Sequence, residues 1–413
     1  MAKWVEIRKG ADFQAIGRRF GISPFTARLI RNKEITGEEE IEQYLHGGIQ
    51  DLHPASLMKG IPEAVKLLKK KIQENVPIRI IGDYDIDGVC ATYILLQGFQ
   101  KAGARVDTDI PDRKKDGYGL NRELIRRAYE AGVDTIVTCD NGIAAADEIA
   151  YGKSLGMTVI VTDHHEVPYE EVEGTRSYRL PPADAVVDPK QQGCAYPFSG
   201  LCGAAVAYQL VRVLCGEMGR DAKNLDYLLE NAAIATVGDV MDLEDENRII
   251  VKEGLRRISS TQNLGLRALM ECTKLEKDRI RAYHIGFILG PCMNASGRLD
   301  TAKRALDLLR TKSKKEADVL AGDLKALNDS RKEMTEAAVV WAKEQVETGE
   351  IRDDRVLVIY LPKCHESLAG IVAGRVRESY YRPVFVLTDA AEGVKGSGRS
   401  IEAYHMFEEL SKC

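Results

Sequence analysis

Short apolar segments alternate with amphipathic helical segments over the first half of this 413-residue chain. The apolar segments span 78–81, 135–142, 157–165 and 184–190, and the more polar segment at 104–112 is interpreted as a further strand. Strands that alternate with helices are typical of a parallel sheet with helices on both faces. A chain of this length can form two or three domains with their own cores. The sequence therefore predicts an α/β fold built on a parallel, doubly wound sheet.

Three aspartates follow the first apolar segment at alternate positions, in the sequence IRIIGDYDIDG. They are Asp83, Asp85 and Asp87. Residues two apart point to the same side of an extended chain, so we expect the three carboxylates to converge. Like charges this close require a cation among them, and clustered oxygen ligands suit Mg²⁺ or Mn²⁺. The pattern predicts a metal site, and an exposed acidic turn is the alternative.

Further polar side chains stand where the later apolar segments end. Asp140 ends one segment, Asp163, His164 and His165 end the next, and Asp188 ends the last. In open α/β sheets ligands bind outside the carboxyl ends of the strands, so we expect these groups along one edge. Two adjacent histidines beside carboxylates favour Mn²⁺ or another borderline ion over Ca²⁺.

Composition narrows the class of protein. The net charge is −5, so any contact with nucleic acid must come from a local basic patch. Residues 1–33 hold eight basic residues against Glu6 and Asp12, and a solvated basic face is an equal alternative to a binding one. Nine cysteines without a C-x-x-C pair argue against a disulfide framework or a zinc knuckle and fit a reducing cytosol. MAKWVEIRKG lacks the core of a signal peptide, and no apolar run approaches a membrane span, so we expect a cytoplasmic protein without membrane contact.

Beyond the sheet, the sequence predicts a charge-laced connector helix at 314–347 and a second, smaller α/β module. The Gly-rich segments 286–302 and 395–400 are interpreted as loops that can bring N–H groups and an arginine to a phosphate, with tight structural turns as the alternative. We expect four parts in chain order. They are an N-terminal helical segment at 1–60, a catalytic domain at 61–265, a helical region with the connector helix at 266–348, and the second module at 349–413.

Four motifs, in this order, make the chain resemble the DHH phosphoesterase superfamily. The motifs are DYDIDG, TCDNG, TDHH and ATVGDVMDL, and they are supported by PDRKKDGYGLN, LGPCMNASGRLDTA, HESLAGIVAGRV and KGSGRS. Within the superfamily the chain is similar to the RecJ-type single-strand-specific exonucleases, from about residue 4 onward. The resemblance implies a parallel DHH-type sheet domain, a long connector helix and a smaller α/β DHH-associated domain.

The resemblance also implies two divalent ions, Mn²⁺ or Mg²⁺, at the metal-ligand motifs. The implied ligands are Asp83, Asp85, Asp87, Asp140, His164 and Asp239. The implied catalytic residues are Asp163, His164 and His165. His165 would face the scissile phosphate, and Asp163 would hold the histidine pair in position. The positions implied to hold nucleotide are Arg113, Asn294, Arg298, His365, Arg375, Ser397 and Arg399. Tyr118 is a further candidate substrate contact, because an aromatic side chain can stack on the bases of a single strand.

The activity that the resemblance implies is 5′-to-3′ hydrolysis of single-stranded DNA to 5′-mononucleotides, in DNA repair and recombination. The implied partner is single-stranded nucleic acid, with a single-strand-binding protein or a helicase as a candidate second partner and a monomer favoured. Three alternatives stay open: a phosphodiesterase of cyclic dinucleotides or very short RNA, a manganese pyrophosphatase, and a non-catalytic replication scaffold. The N-terminal 60 residues and the connector favour a polymeric substrate, and a scaffold would have lost ligands that are present here.

The chain departs from the family pattern in two places. Ile81 stands where the family often has a histidine. The chain also ends shortly after KGSGRS, without the Gly-Gly-His stretch and the oligonucleotide-binding domain that normally follow. We therefore expect a chain cut short within an incomplete DHH-associated domain. Its metal core would be complete, but it would hold long single strands poorly.

Overall fold

The structure, which is a computed structural model, describes residues 5–6, 9–113, 116–172, 175–390 and 393–412. The helices are, in chain order, α1 (Phe13–Phe20), α2 (Pro24–Asn32), α3 (Glu38–His46), α4 (Ile61–Gln73), α5 (Ile86–Ala102), α6 (Arg122–Glu130), α7 (Ala146–Ser154), α8 (Gly203–Glu217), α9 (Leu229–Gly238), α10 (Asp245–Ile258), α11 (Leu264–Cys272), α12 (Ala282–His284), α13 (Gly290–Leu299), α14 (Lys303–Arg310), α15 (Lys314–Thr348), α16 (Ala369–Tyr380) and α17 (Met406–Leu410). The strands are β1 (Ile78–Ile81), β2 (Val106–Asp109), β3 (Thr135–Cys139), β4 (Thr158–Thr162), β5 (Tyr169–Val172), β6 (Thr175–Tyr178), β7 (Ala185–Val187), β8 (Leu357–Tyr360), β9 (Val384–Ala390) and β10 (Gly393–Arg399).

Among the described residues, five parallel strands form a sheet in the order β2-β1-β3-β4-β7. Most side chains of β1, β3 and β4 are buried, as expected for parallel strands that are covered on both faces. In register, Ile81 at the end of β1 pairs with Asp109 on one side and with Thr138 on the other. The carboxyl ends of these strands therefore meet along one edge, and the predicted parallel, doubly wound sheet is confirmed.

Helices cover both faces of this sheet. Leu124 and Ile125 of α6 and Ile149 of α7 form a core cluster with Ile136 and Val159 of the strands. On the other face α5 and α8 pack on the sheet. Helix α5 connects β1 with β2, whereas α6 and α7 connect strands that are added in the opposite direction, so right-handed crossovers place α5 on the face opposite α6 and α7. Helix α5 is buried over most of its length, because α8 and α9 also pack against it.

The chain divides into two compact units. One is formed by Met1–Pro111, Gly119–Thr261 and Lys277–Gly286, and it contains the parallel sheet. The other is formed by Asp112–Tyr118, Gln262–Glu276 and Phe287–Cys413. The four-part division of the chain by sequence position stays a prediction.

The second unit contains a small mixed sheet and the long helix α15. Strand β9 pairs in parallel with β8 and antiparallel with β10. Leu357 and Val384 of this sheet form a buried cluster with Val372 of α16 and with Ala342 and Val346 of α15. The predicted second α/β module and the predicted connector helix are thus confirmed, the latter spanning Lys314–Thr348.

Two segments that were predicted to be loops are regular structure instead, so the loop prediction was wrong, while phosphate binding by these segments stays a prediction. A π-helical turn at Ile285–Leu289 leads into α13, where Pro291 occupies the first turn, a position that tolerates proline. The small residues of α13 allow this helix to pack closely on α15, and the packing buries them. Within 395–400, the residues of KGSGR belong to strand β10. A Cβ at Gly396 would lie 2.5 Å from Leu387 Cδ2, so the glycine serves close packing across the strands.

No helix in the described part of the chain combines the length and the apolar character that a bilayer crossing requires.

Candidate active site

The three aspartates of the first motif lie where β1 gives way to α5. Gly82 makes this junction narrow, since a Cβ there would lie 1.9 Å from Thr92 Oγ1. Helix α5 begins at Ile86, and Asp85 is its N-cap, accepting hydrogen bonds from the N–H groups of Asp87 at 2.9 Å and Gly88 at 3.1 Å. The prediction of an extended backbone through all three aspartates was therefore wrong, because the last of them already lies in a helical turn.

Asp87 joins the N-termini of two helices. Its carboxylate oxygens accept hydrogen bonds from the N–H groups of Gly203 at 2.6 Å and Ala204 at 2.7 Å, which begin α8. Such N–H groups lack partners within their own helix and favour a negative charge. Burial nevertheless raises the pKa of Asp87, while the nearby His164 opposes the rise. The carboxylate is thus fixed in place at a site that favours a further positive charge.

Asp140 follows β3 and occupies the middle of the acidic cluster. Its backbone has a φ of 60°, which is unusual for a residue other than glycine. Its N–H donates to the carbonyl oxygen of Thr162 at 3.1 Å. Burial, followed by the charges of Asp87 and Asp85, raises its pKa well above the ordinary value. A left-handed, fully enclosed carboxylate of this kind is the sort of strained residue that clusters at functional sites.

Potential ligand atoms among the described residues fall into three overlapping sets. Within each set, all the ligand atoms lie within 4.8 Å of one another. The sets are Asp83, Asp85 and Asp140; Asp87, His164 and Asp239; and Asp140, His164 and His165. Asp140 and His164 each belong to two sets, and His164 Nε2 lies 3.0 Å from Asp140 Oδ1. The structure therefore brings together every metal-ligand residue that the sequence suggested.

Asp163 positions the two histidines through hydrogen bonds. Its Oδ1 accepts a hydrogen bond from the N–H of His164 at 2.8 Å and lies 2.7 Å from His165 Nδ1, while its Oδ2 accepts from the N–H of Ile143 at 2.9 Å. Burial would raise the pKa of Asp163, but these hydrogen bonds outweigh burial and lower it. The hydrogen bond that Asp163 accepts from His165 in turn raises the pKa of His165, whose side chain is 46% exposed.

Asp239 reaches the cluster from the C-terminal end of α9, which ends at Gly238. A Cβ at Gly238 would lie 2.7 Å from Ile86 Cγ2, so this glycine allows the end of α9 to approach the start of α5. Burial raises the pKa of Asp239 to about 7, and the charges of neighbouring aspartates add to the rise. Asp83 behaves alike, with its pKa raised to about 7 by burial and by Asp85.

This cluster fits a pair of divalent cations. Asp83 Oδ1 and His164 Nδ1 are buried and have no hydrogen-bond partner among the described residues, so the protein alone does not satisfy the site. A set of carboxylate oxygens with one or two imidazoles is the donor set that suits Mn²⁺, and the oxygens alone suit Mg²⁺. Cations would also offset the repulsion that raises the pKa values of these acids.

One buried acid after β7 was not chosen as a site residue from the sequence. Asp188 is fully buried, its Oδ1 accepts a hydrogen bond from the N–H of Lys190 at 2.8 Å, and its Oδ2 has no hydrogen-bond partner within the described part of the chain. Burial raises its pKa to about 8. The signal for Asp188 was its position at the end of a strand, but the sequence gives no measure of its burial.

The residues implied to hold nucleotide include two small groups in the second unit. Arg298 Nη1 donates to the carbonyl oxygen of Ser367 at 2.9 Å, and Ser367 Oγ lies 2.8 Å from His365 Nδ1. On strand β10, Arg399 Nη1 lies 3.3 Å from Ser397 Oγ. The structure therefore links Arg298 with His365, and Ser397 with Arg399.

The second pair lies over the start of α16. A Cβ at Gly370 would lie 2.8 Å from Ser397 Oγ and 2.9 Å from Arg399 Nη2, so glycine leaves room for both polar groups. Arg375 belongs to the same helix, and Asn294 belongs to α13. Arg113 and Tyr118 belong to the segment Asp112–Tyr118, which forms part of the second unit, and Tyr118 is exposed. The intervening Lys114 and Lys115 lie outside the described residues.

The N-terminal basic patch is partly neutralised by ion pairs. Lys9 and Arg31 both contact Glu34, and Arg19 contacts Glu38. Exposed pairs of this kind contribute little to stability, but they reduce the positive potential of the surface. Two further members of the patch, Lys3 and Arg8, lie outside the described residues.

Residues 77–237, which include the sheet and most of the acidic cluster, match the DHH family, N-terminal domain. The fold and the site thus define a protein of the DHH class. The chain is 34% identical to the single-stranded-DNA-specific exonuclease RecJ of Escherichia coli (strain K12), over 98% of the chain and 70% of that protein. The chain belongs to the RecJ family. It is also 38% identical to the RecJ of Bacillus subtilis (strain 168) over 100% of the chain, and it spans 51% of that relative's length.

Solved structures show the same relationship. A crystal structure of exonuclease RecJ bound to manganese superposes with a TM-score of 0.73 at 33% identity, covering 86% of this chain and 85% of that one. RecJ from Thermus thermophilus in complex with Mn²⁺ gives a TM-score of 0.77 at 30% identity, covering 94% of this chain and 53% of that one. The fold of this chain is therefore the fold of RecJ over the shared region.

Proposed function

We propose that this chain is a metal-dependent exonuclease that hydrolyses single-stranded DNA from the 5′ end to 5′-mononucleotides. The observation that carries the proposal is the overlap of three sets of ligand atoms at Asp140 and His164. Membership of the RecJ family supports the same activity, because relatives over this region are named single-stranded-DNA-specific exonucleases.

Two divalent ions, Mn²⁺ or Mg²⁺, are proposed as cofactors. Asp83 and Asp85 would hold one ion, and Asp87, His164 and Asp239 would hold the other. Asp140 shares a set of ligand atoms with Asp83 and Asp85 and lies 3.0 Å from His164 Nε2 of the other set. Cations at this site would lower the pKa of a bound water and offset charge on the phosphoryl oxygens.

The protein's own groups orient the reaction. Asp163 fixes the ring of His165 through Nδ1, and the raised pKa of His165 favours a protonated ring that can donate to a phosphoryl oxygen. Asp163 itself is enclosed by hydrogen bonds from its neighbours, so we assign it a positioning role. His164 contacts Asp140 and takes the role of a ligand rather than a proton donor.

The strand would be held through phosphate contacts and stacking. The proposed contacts in the second unit are Asn294, Arg298, His365, Arg375, Ser397 and Arg399, with Arg113 and the exposed Tyr118 as additional contacts. We propose a monomer that acts in the cytoplasm in DNA repair and recombination. A single-strand-binding protein or a helicase is the proposed macromolecular partner.

The test is incubation with 5′-labelled single-stranded and double-stranded DNA, with Mn²⁺, with Mg²⁺ and with chelator. The expected result is release of mononucleotides from the single strand alone, and only with a divalent ion. The matched control is Asp140→Asn, which keeps the shape of the side chain and removes its charge. Faster cleavage of a cyclic dinucleotide than of an oligonucleotide would support the small-substrate alternative instead, and hydrolysis in chelator would contradict the metal site.

A further inference from the structure

The chain leaves the neighbouring strands β4 and β7 at the same edge of the sheet, so the residues that follow the two strands lie side by side. Strand β4 pairs in parallel with β7, with Thr162 opposite Val187, and the N–H of Asp163 donates to the carbonyl oxygen of Val187 at 2.9 Å. Beyond this point one chain continues through the two histidines to Glu166, and the other continues to Lys190. Lys190 is therefore placed beside the histidine pair by the sheet itself.

The backbone of Lys190 is fixed while its ammonium group is weakly held. Its N–H donates to Asp188 Oδ1 at 2.8 Å, and Asp188 is fully buried. Its Nζ lies 3.0 Å from Glu166 Oε1, with the side chains 26% and 86% exposed, respectively. An ion pair with so exposed a partner contributes little to stability, so a better anion can replace Glu166.

The charge of Lys190 acts on groups inside the acidic cluster. Burial has the largest effect on the pKa values of His164, Asp188 and Asp239, and the positive charge of Lys190 acts on all three in the direction that lowers the pKa. The position of Lys190 near the cluster follows from geometry, because the chain that carries Lys190 leaves β7 beside Asp163 and the Lys190 side chain contacts Glu166, the residue after the histidine pair. Lysine is a compact point charge on a flexible stem, which suits a phosphate that moves during catalysis.

We infer that Lys190 is a further substrate-binding residue, which exchanges Glu166 for a phosphate oxygen of the single strand next to the metal cluster. The inference rests on the proposed function and adds a phosphate contact that comes from the sheet unit itself. Glu166 then serves as a surrogate anion that holds the ammonium group in place until a strand arrives.

The test compares Lys190→Gln, Lys190→Arg and Glu166→Gln in an Asp140→Asn background, so that a labelled single strand binds in Mn²⁺ without being cut. The measurement is the dissociation constant over a range of salt concentrations. Each phosphate contact on a single strand contributes about 0.7 to the slope of log K against log salt. We expect Lys190→Gln to reduce the slope by about 0.7, Lys190→Arg to retain it, and Glu166→Gln to tighten binding by removing the competing carboxylate.

Thermal unfolding of each variant shows whether the substitution has altered folding, and the conservative Lys190→Arg supplies the charge in a similar shape. An unchanged slope in a folded Lys190→Gln variant would overturn the inference while leaving the proposed nuclease activity intact. Failure of the parent chain to bind or cut single strands would instead remove the proposed function itself.

Discussion

Gly203 lies directly against Asp140. A Cβ at position 203 would come within 2.7 Å of Asp140 Cβ and 3.0 Å of Asp140 Cα. Because this residue has no side chain, the N-terminus of α8 can approach the strand end closely enough for its N–H groups to bind Asp87. The acidic cluster therefore depends on a glycine that carries no functional group.

Substitution Gly203→Ala should disrupt the cluster. The added methyl group would meet backbone and Cβ atoms that cannot move independently, so we expect a loss of stability of about 1–3 kcal/mol and weaker Mn²⁺ binding. The control is Gly216→Ala on the same helix, where an added Cβ would meet no described atom within 4 Å beyond the adjoining residues and the backbone of the helix itself. Alanine there should add about 0.5 kcal/mol of stability. Urea unfolding and Mn²⁺ titration measure both effects, and equal stability of the two variants would contradict the packing argument.

Substitution Asp140→Asn should separate activity from folding. Asp140 belongs to two sets of ligand atoms, so the loss of its charge should lower turnover strongly. Substitution of a residue that only hydrogen-bonds to a metal ligand typically costs ~10–100-fold, and we expect a larger loss here. In chelator the variant should be as stable as the parent or more stable, since burial and neighbouring acids oppose the charge of Asp140. Hydrolysis assays and thermal unfolding in chelator provide the readouts. Turnover close to that of the parent would remove Asp140 from the site.

Substitution Asp188→Asn should change how stability depends on pH. The pKa of Asp188 is raised to about 8 by burial, so between its ordinary value of 3.8 and that value the folded chain keeps a proton that the unfolded chain has lost. The free energy of unfolding of the parent therefore falls as pH rises through this window, by at most about 1.4 kcal/mol per pH unit from this group. The variant lacks this loss.

Urea unfolding at pH 5 and pH 8, in chelator, tests the Asp188 prediction. We expect Asp188→Asn to gain stability over the parent as pH rises, and to keep the hydrogen bond from the N–H of Lys190. The control Asp188→Ala removes that acceptor and should be less stable than Asp188→Asn at both pH values. A stability difference between Asp188→Asn and the parent that does not grow with pH would contradict the prediction.

Substitution Val240→Gly should stabilise the protein. Val240 follows the C-cap of α9 with a φ of 59° and is 86% exposed, so its side chain contributes little packing and its backbone is strained. Glycine is the usual residue where a helix ends in this conformation. We expect a gain of about 1 kcal/mol in the free energy of unfolding. Val240→Ala retains the Cβ and should gain much less, so equal gains for both variants would argue against strain as the cause.

The sequence by itself determined the alternation of strands and helices along the first half of the chain and the identity of the acidic strand ends. Alternating apolar and amphipathic segments are local patterns, and a strand such as β1 or β4 is recognisable without knowledge of its neighbours. The parallel order of the strands then places their carboxyl ends at one edge. For this reason Asp140 and His164 could be assigned to one site before their distance was known.

The tertiary structure alone decided the features that depend on contacts between distant segments. The helical turn at Asp87, the approach of Gly203 to Asp140 and the burial of Asp188 each require a partner remote in sequence. The same holds for α13 and β10, whose small residues suggested loops until their packing partners were known. Local periodicity records which face of a segment is apolar, whereas only packing fixes how closely two backbones approach, and that approach sets the geometry of this site.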